Sequence, residues 1–307
     1  MEKLKLRKPD PLTQKERERT LIITRIVGGL GNQMFQYAAG RALSLANDDL
    51  LKLDLTEMSR YKLRPLQLDQ FNIKGDVARE NEVPARPRNS LFGKLSTALK
   101  NRNRIQQVIE AKPGFNPKIL DIKGSAHLSG YWQSEKYFAE YADIIRDDFS
   151  LRQPMSDERR KTLTLIQDTE RAISVHVRRG DYVSNPTANA IHGTCEPEWY
   201  KLAMENMAAR HASPTFFVFS DDPDWARENL EPIGQMIYVE PQTDGRDGED
   251  MHLMAACHSH VIANSTFSWW GAWLNPRQDK QVIAPKVWFK SESHRNPDLV
   301  PESWNLL

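Results

Sequence analysis

The sequence predicts an α/β protein built on parallel sheets, and three observations carry that prediction. Short apolar, β-branched runs alternate with helical stretches through the second half of the chain. The first such run, Leu21–Val27, opens directly into a glycine turn and then a helix. Three polar segments rich in functional side chains each follow immediately on a predicted strand.

Taken in order, residues 1–20 read as a charged extension, mobile or loosely helical. Leu21–Val27 (LIITRIV) has the continuous apolar character of a buried parallel strand. It feeds into Gly28-Gly29-Leu30-Gly31-Asn32-Gln33, after which Phe35, Ala38, Ala39, Ala42 and Leu45 recur at helical spacing. Leu50–Leu53 reads as a second strand ending at Asp54, and residues 74–104 as a long, exposed polar connection. Ser125–Gly130 is a strand running into the aromatic loop Tyr131-Trp132-Gln133. Helical patterns dominate from Ser134 to about Asp168, broken at Pro154, and the domain boundary falls in this stretch. Beyond it, strands are expected at Arg171–Val177, Thr215–Phe219, Met236–Val239, His260–Ala263 and Gln281–Ala284. Helices such as Glu198–Arg210 and Asp224–Leu230 lie between most of them, as parallel pairing with right-handed crossovers requires.

Composition narrows the function. The chain of 307 residues is long enough for one large or two medium domains, and 39% hydrophobic with 27% charged residues suits a globular protein. Its 42 basic and 41 acidic residues leave a formal charge of +1, so no global field recruits nucleic acid. An anionic ligand must instead be met by locally placed Arg and Lys. Cys195 and Cys257 have neither metal-ligand spacing nor a pairing framework, which is compatible with a reducing cytoplasm. No apolar run approaches the ~18 residues of a membrane span, and residues 1–20 lack the apolar core of a signal peptide. A cytoplasmic location is expected, with peripheral association at the inner membrane left open.

Ligands of open parallel sheets bind at the carboxyl ends of the strands. Here those ends carry Arg178-Arg179-Gly180-Asp181-Tyr182, Ser220-Asp221-Asp222-Pro223 and Asn264-Ser265-Thr266-Phe267-Ser268-Trp269-Trp270-Gly271. Arginine presents a rigid fork of donors that matches phosphate oxygens, so one of the pair could hold a diphosphate, or both could simply pair with nearby carboxylates. Ser174, His176 and Arg178 share one face of their strand, which turns His176 toward a ligand at the strand end. Asp221, Asp222 and Asp224 have a spacing open to metal binding, but helix capping and recognition of a guanine edge are the favoured readings. Asn264 to Phe267 offers hydroxyls and backbone N–H groups at a helix start, a natural anion site. The formal glycosylation sequon at Asn264 falls where the sheet should be buried and is discounted. Gly29 and Gly31 match two glycines of a dinucleotide fingerprint, with Met34 in place of the third and Asp54 where a ribose-binding acid would lie. The tryptophans at 269, 270, 273, 288 and 304 are expected to serve packing, with one or two available as a sugar platform.

At these residues the sequence resembles the bacterial α-1,2-fucosyltransferases of glycosyltransferase family 11. The matching segments are Gly28–Ala38 (GGLGNQMFQYA), Gly130–Phe138 (GYWQSEKYF), His176–Tyr182 (HVRRGDY), Phe219–Pro223 (FSDDP) and Ile262–Leu274 (IANSTFSWWGAWL). The resemblance implies the GT-B arrangement, two Rossmann-like domains whose parallel sheets face a cleft. The domains would be residues 21–165 on the acceptor side and 166–307 on the GDP-fucose side, after the extension 1–20. It implies GDP-L-fucose as donor, a galactose-terminated acceptor glycan, inversion at the anomeric carbon, and neither metal nor cofactor. It further implies a role in O-antigen or other surface-polysaccharide synthesis. Residue by residue, Arg178 would hold the β-phosphate, and His176 and Asp221 would face the guanine. Ser268, with the neighbouring backbone of Ser265, Thr266 and Phe267, would contact the diphosphate. Gly29 and Gly31 would contact the donor, and Asn32, in their loop, would reach the reacting centre from the N-terminal domain. Tyr131, Trp132 and Gln133 are the acceptor candidates. Asp181 is the first candidate for the base, with His192 and Glu196 behind it. The rival classes are a nicotinamide-dependent oxidoreductase, resting on Gly29, Gly31 and Asp54, and a non-catalytic sugar-nucleotide-binding module. Acceptor and oligomeric state are open.

Overall fold

The computed structural model describes residues 20–58, 65–84, 105–241 and 244–307. The charged extension, apart from Thr20, and residues 85–104 of the polar connection lie outside the described residues. The chain divides into two compact units, one ending at Ser150 and the other beginning at Leu151.

The first unit holds β1 (Leu21–Arg25), α1 (Leu30–Asn47), β2 (Leu50–Asp54), β3 (Asp76–Val77), β4 (Gln106–Ile109), β5 (Ala126–Ser129) and α2 (Ala142–Asp148). Its five strands run in the order β3-β2-β1-β5-β4, and every neighbouring pair is parallel. β1 stops two residues before Val27 because the Val27 N–H leaves the ladder and donates to Gln36 Oε1 at 2.8 Å. The turn itself needs Gly28, whose φ of +90° lies in the left-handed region. α1 then packs closely on the sheet: a Cβ at Gly40 would stand 2.8 Å from Thr24 Cβ. Thr24 Oγ1 also donates to the Gln36 carbonyl at 2.9 Å. The two edge strands were not legible. β4 (QQVI) buries Val108 alone, so its polar edge pattern carries no continuous apolar run.

The second unit holds α3 (Asp157–Asp168), β6 (Ala172–Val177), α4 (Gly180–Ser184), α5 (Pro186–His192), α6 (Pro197–Arg210), β7 (Thr215–Ser220), α7 (Pro223–Asn229) and β8 (Gln235–Val239). It continues through α8 (Asp247–Ala256), β9 (Ser259–Val261), α9 (Thr266–Leu274), β10 (Val282–Ala284) and β11 (Asn305–Leu306). Its sheet runs β11-β10-β9-β6-β7-β8, again all parallel. β6 alternates as its sequence implies. Ile173, Val175 and Val177 pack with Tyr200, Ala203, Met204 and Met207 of α6. On the other face, Ser174 Oγ bonds His260 Nδ1 at 2.8 Å.

Both units are therefore parallel α/β sheets, the predicted fold class. In each, successive strands run outward from the first one, and a later strand returns to pair on the first one's other side. That reversal is the switch point where open α/β sheets bind ligands. It lies between β1 and β5 in the first unit and between β6 and β9 in the second. Among the described residues no helix is long and apolar enough to cross a membrane.

Candidate active site

In the second unit the switch point gathers the predicted loops around Arg178. Its Nη1 lies 2.8 Å from Asp221 Oδ2, and its Nη2 pairs with Asp181 Oδ1. Burial opposes the charge on this guanidinium, but Asp221 and then Asp181 outweigh it and hold the group further above its ordinary value. The result is a largely buried, fixed cation at the end of β6, with a side chain 19% exposed. Arg179 has a different environment. Its guanidinium lies 3.9 Å above the Trp225 ring and pairs with Asp222 at 3.3 Å. The structure thus gives the two arginines different environments, and Arg178, the one the resemblance singles out, is the one facing the loops.

Asp221 is held from two sides, since its Oδ1 also accepts the Arg179 N–H at 2.8 Å. That approach depends on Gly180, because a Cβ there would lie 3.2 Å from Asp221 Cγ and closer still to Oδ2. The requirement for Gly180 was missed, though the R-R-G-D run beside a strand that precedes S-D-D carries the signal. The three acids do not converge on a metal. Asp221 serves the arginine loop, Asp222 caps α7 by accepting the Trp225 N–H at 3.3 Å, and Asp224 pairs with Arg227 at 3.6 Å. Among the described residues no group of three or more His, Cys, Asp or Glu could hold a metal ion.

His176 is 5% exposed, with its ring 5.6 Å from that of Phe267 and no partner at Nδ1. Burial, and then the Arg178 charge, push it down to about 3, so it is neutral at physiological pH. His192 stacks face to face on Tyr182 at 4.4 Å, and burial pushes it down to about 4. Glu196 lies just ahead of α6 and accepts from Thr194 Oγ1 at 3.3 Å. From β9, Asn264 spends its amide on the carbonyls of His192, Gly193 and Trp288, at 3.0 to 3.3 Å. This buried clamp explains why the sequon reading fails. Ser265 caps α9 by accepting the Phe267 N–H at 3.3 Å, and Thr266 and Phe267 are partly exposed at the helix start. Ser268 is not brought to the opening. It is fully buried and donates to the carbonyls of Ala263 or Ser265, at 3.3 and 3.2 Å. The tryptophans of α9 pack on one another, with Trp269 stacked on Trp273 and tilted against Trp304, so none of these three forms an open platform.

The first unit's switch point joins the glycine turn to the aromatic loop. Gln133 Nε2 donates to Asn32 Oδ1 at 2.9 Å, so the two candidate amides meet. Gly31 is buried inside the first turn of α1, and a Cβ added at Gly29 would point into open space. Tyr131 is 46% exposed, whereas Trp132 is 1% exposed with a φ of +55°. That loop is shaped by Glu110, which no sequence signal identified. Its carboxylate accepts the N–H groups of Tyr131 at 2.7 Å and Trp132 at 3.2 Å, and burial raises it above the ordinary carboxylate range. Asp54 is 2% exposed and committed to Thr56 and to His127 Nε2 at 2.9 Å. It is therefore unavailable to a ribose, which removes the acid on which the nicotinamide reading rested.

A parallel α/β chain with a buried, carboxylate-held arginine at a switch point, beside a helix start, has the parts of an enzyme that binds an anionic donor. Comparison with known proteins gives the family. The model of Glycosyl transferase family 11 matches residues 112–307. An alpha-1,2-colitosyltransferase of Escherichia coli is 37% identical over 93% of this chain and 98% of its own. The O-antigen biosynthesis glycosyltransferase WbnK of Escherichia coli is 32% identical over 90% of this chain and 97% of its own. A galactoside alpha-(1,2)-fucosyltransferase 1 of Bos taurus is 28% identical over 48% of this chain and 43% of its own. The chain belongs to glycosyltransferase family 11.

Proposed function

We propose that this glycosyltransferase moves L-fucose from GDP-β-L-fucose to the 2-hydroxyl of a β-galactoside, with inversion and without a metal, in the synthesis of a surface polysaccharide such as O-antigen. The observation that carries the reading is the Arg178 guanidinium, buried, charged and aimed at the loops of the switch point. In the reaction the bond between the anomeric carbon and the β-phosphate oxygen breaks as the acceptor oxygen bonds that carbon from the opposite side. The departing diphosphate gains negative charge, which a fixed guanidinium stabilises without reorganising. Arg178 is assigned to the β-phosphate, and the N–H groups at the start of α9, from Ser265 to Phe267, to the other phosphate oxygens. Ser268 holds that loop in shape from beneath. His176 and Asp221 are assigned to the base, and Asp181 takes the proton of the acceptor hydroxyl. On the acceptor side the assignments are Asn32, Tyr131 and Gln133, with Trp132 shaping their loop, while the glycines 29 and 31 are assigned to the donor.

A second reading differs in the donor sugar, and the 37% identical relative named for colitosyl transfer supports it. Colitose is fucose without its 3-hydroxyl, so the same diphosphate machinery would serve both donors. The deciding experiment measures GDP release from GDP-fucose and from GDP-colitose, with and without lactose, in the presence and absence of EDTA. Linkage analysis of the product follows. Lactose-stimulated release from GDP-fucose that survives EDTA and yields a 2-linked fucosyl galactose establishes the first reading. Turnover confined to GDP-colitose establishes the second, and absence of binding by either donor refutes both.

A further inference from the structure

The amino edge of the second sheet carries a cavity of about 480 Å³ whose charged and imidazole lining is Glu170, Arg171, Arg210, His211, His258, Arg277 and Asp279. These residues stand just ahead of β6, β7, β9 and β10, at the opposite end of the strands from Arg178. Arg171 and Arg178 flank the six residues of β6, which puts the two places roughly 23 Å apart at ~3.3 Å per residue.

The charges in this cavity are unevenly spent. Arg277 is held by Asp279 through Nε at 3.1 Å and Nη2 at 2.9 Å, so its fork is occupied. Arg210 donates to a neutral partner, Gln281 Oε1, at 3.0 Å, and no carboxylate among the described residues is paired with it. Arg171 is matched by the Glu170 carboxylate of its own loop at 3.3 Å, and that carboxylate is 86% exposed. Between these arginines the His211 and His258 rings meet edge to face, 5.4 Å apart. His211 Nε2 lies 3.4 Å from Ser259 Oγ, and His258 Nε2 lies 3.8 Å from Asp279 Oδ2.

We propose that this cavity is a second anion site, which takes a phosphate or diphosphate group between Arg171 and Arg210 and against the two imidazoles. Three arginines against the carboxylates of Glu170 and Asp279 leave the lining net cationic, two rings can add protons to it, and the cavity has room for more than one phosphate. The histidines make the site respond to pH. Burial lowers both below the usual histidine value. For His211, the His258, Arg171 and Arg210 charges lower it further, while Asp279 raises it. For His258, Arg277 lowers it, Asp279 raises it and Arg171 lowers it. A bound anion reverses the sign of that field, so both rings take up protons as it binds and affinity rises as pH falls.

The test uses the full chain and pyrophosphate, with the ring resonances of His211 and His258 followed by NMR from about pH 8 to about pH 5. Saturating pyrophosphate should move both titration curves to higher pH. The double variant Arg171→Gln, Arg210→Gln should bind pyrophosphate about a hundredfold more weakly at that cavity, at about tenfold per charged hydrogen bond. A water-soluble phosphate and a lipid headgroup share this chemistry. Co-sedimentation with phosphatidylcholine vesicles, with and without phosphatidic acid, separates them. Capture by phosphatidic acid that the double variant loses, without a response to pyrophosphate, assigns the lipid source. Unchanged histidine titrations together with no variant-sensitive vesicle capture overturn the site.

Discussion

Replacing Gly180 with Ala tests the geometry of the arginine loop at the smallest possible cost in chemistry. Gly180 has no left-handed backbone angle, so alanine brings no conformational strain, and the first position of α4 accepts it. The added methyl would nevertheless press on the Asp221 carboxylate, whose Cγ would be 3.2 Å away and Oδ2 nearer. Ordinary contact requires the carboxylate to withdraw by about 1 Å. Asp221 Oδ2 now sits 2.8 Å from Arg178 Nη1, so the same displacement takes it beyond hydrogen-bonding range. A lost bond to a charged group is worth about 1.5–3 kcal/mol. If Arg178 must be fixed to meet the leaving diphosphate, kcat/KM for the donor falls by about ten- to a hundredfold. Steady-state kinetics with GDP-fucose, isothermal titration with GDP and a thermal melt form the assay. The melt should move by no more than a few degrees, because the strain is local. A Gly180→Ala enzyme within twofold of the parent in kcat/KM and in GDP affinity would refute the assignment of Arg178.

Further outcomes follow from the same contacts. Arg178→Lys should lower transfer by about a hundredfold or more with the fold intact in circular dichroism, because an ammonium cannot present two parallel donors. Gln133→Ala should raise the acceptor KM by about tenfold and leave GDP affinity unchanged, since it releases the Asn32 amide while the second unit is untouched. Stability should fall with acid. His176 and His260 are both pushed down to about 3, mainly by burial. The unfolded chain therefore binds two protons that the folded chain refuses as pH drops below about 6.5. Each site then costs roughly 2 kcal/mol at about pH 5, and urea melts between about pH 7 and pH 5 should show this loss. The tautomer of His260 is fixed for the same reason. Asn275 Nδ2 donates to the Cys257 carbonyl and Asn275 Oδ1 accepts the Arg277 N–H, so Nδ2 must also donate to His260 Nε2.

What the sequence displayed of this molecule was whatever a single strand or turn decides. The alternation of Ile173, Val175 and Val177 against Ser174 and His176 is local, and the packing of α6 follows it. The glycine turn and the start of α1 are likewise written in consecutive residues. What stayed hidden depends on partners far along the chain. Glu110 shapes the Tyr131–Trp132 turn from β4, a strand too polar to announce itself. Gly180 matters because Asp221 arrives from 41 positions later, and no property of the R-R-G-D run alone reveals the close approach. The resemblance puts Ser268 at the diphosphate, but a serine in the first turn of a helix can also bond back to preceding carbonyls, and here it does. Strand alternation and the resemblance favour Arg178 over Arg179, but the place of Arg179 shows only through Trp225, which α7 brings beneath it.

The most informative residue at the switch point is Asp181, because Arg178 is already satisfied. A buried guanidinium with two carboxylates carries more negative than positive charge around it, so a diphosphate can be received only if one carboxylate gives way. Asp221 is the less exposed of the two, at 26% against 41%, and the Arg179 N–H anchors it. Asp181 has the more exposed side chain and sits on the loop that follows Arg178. The expected exchange therefore moves Asp181 off the guanidinium as the donor binds, which makes its carboxylate able to accept a proton from the acceptor hydroxyl. One residue would then guard the empty site and serve the filled one. Asp181→Asn separates the two duties. Removing the competing charge should tighten GDP binding by several-fold, while loss of the proton acceptor should lower kcat by about a hundredfold or more. Weaker GDP binding in that variant would show that Asp181 supports Arg178 throughout the cycle. Tighter binding with unchanged kcat would leave the proton to another group.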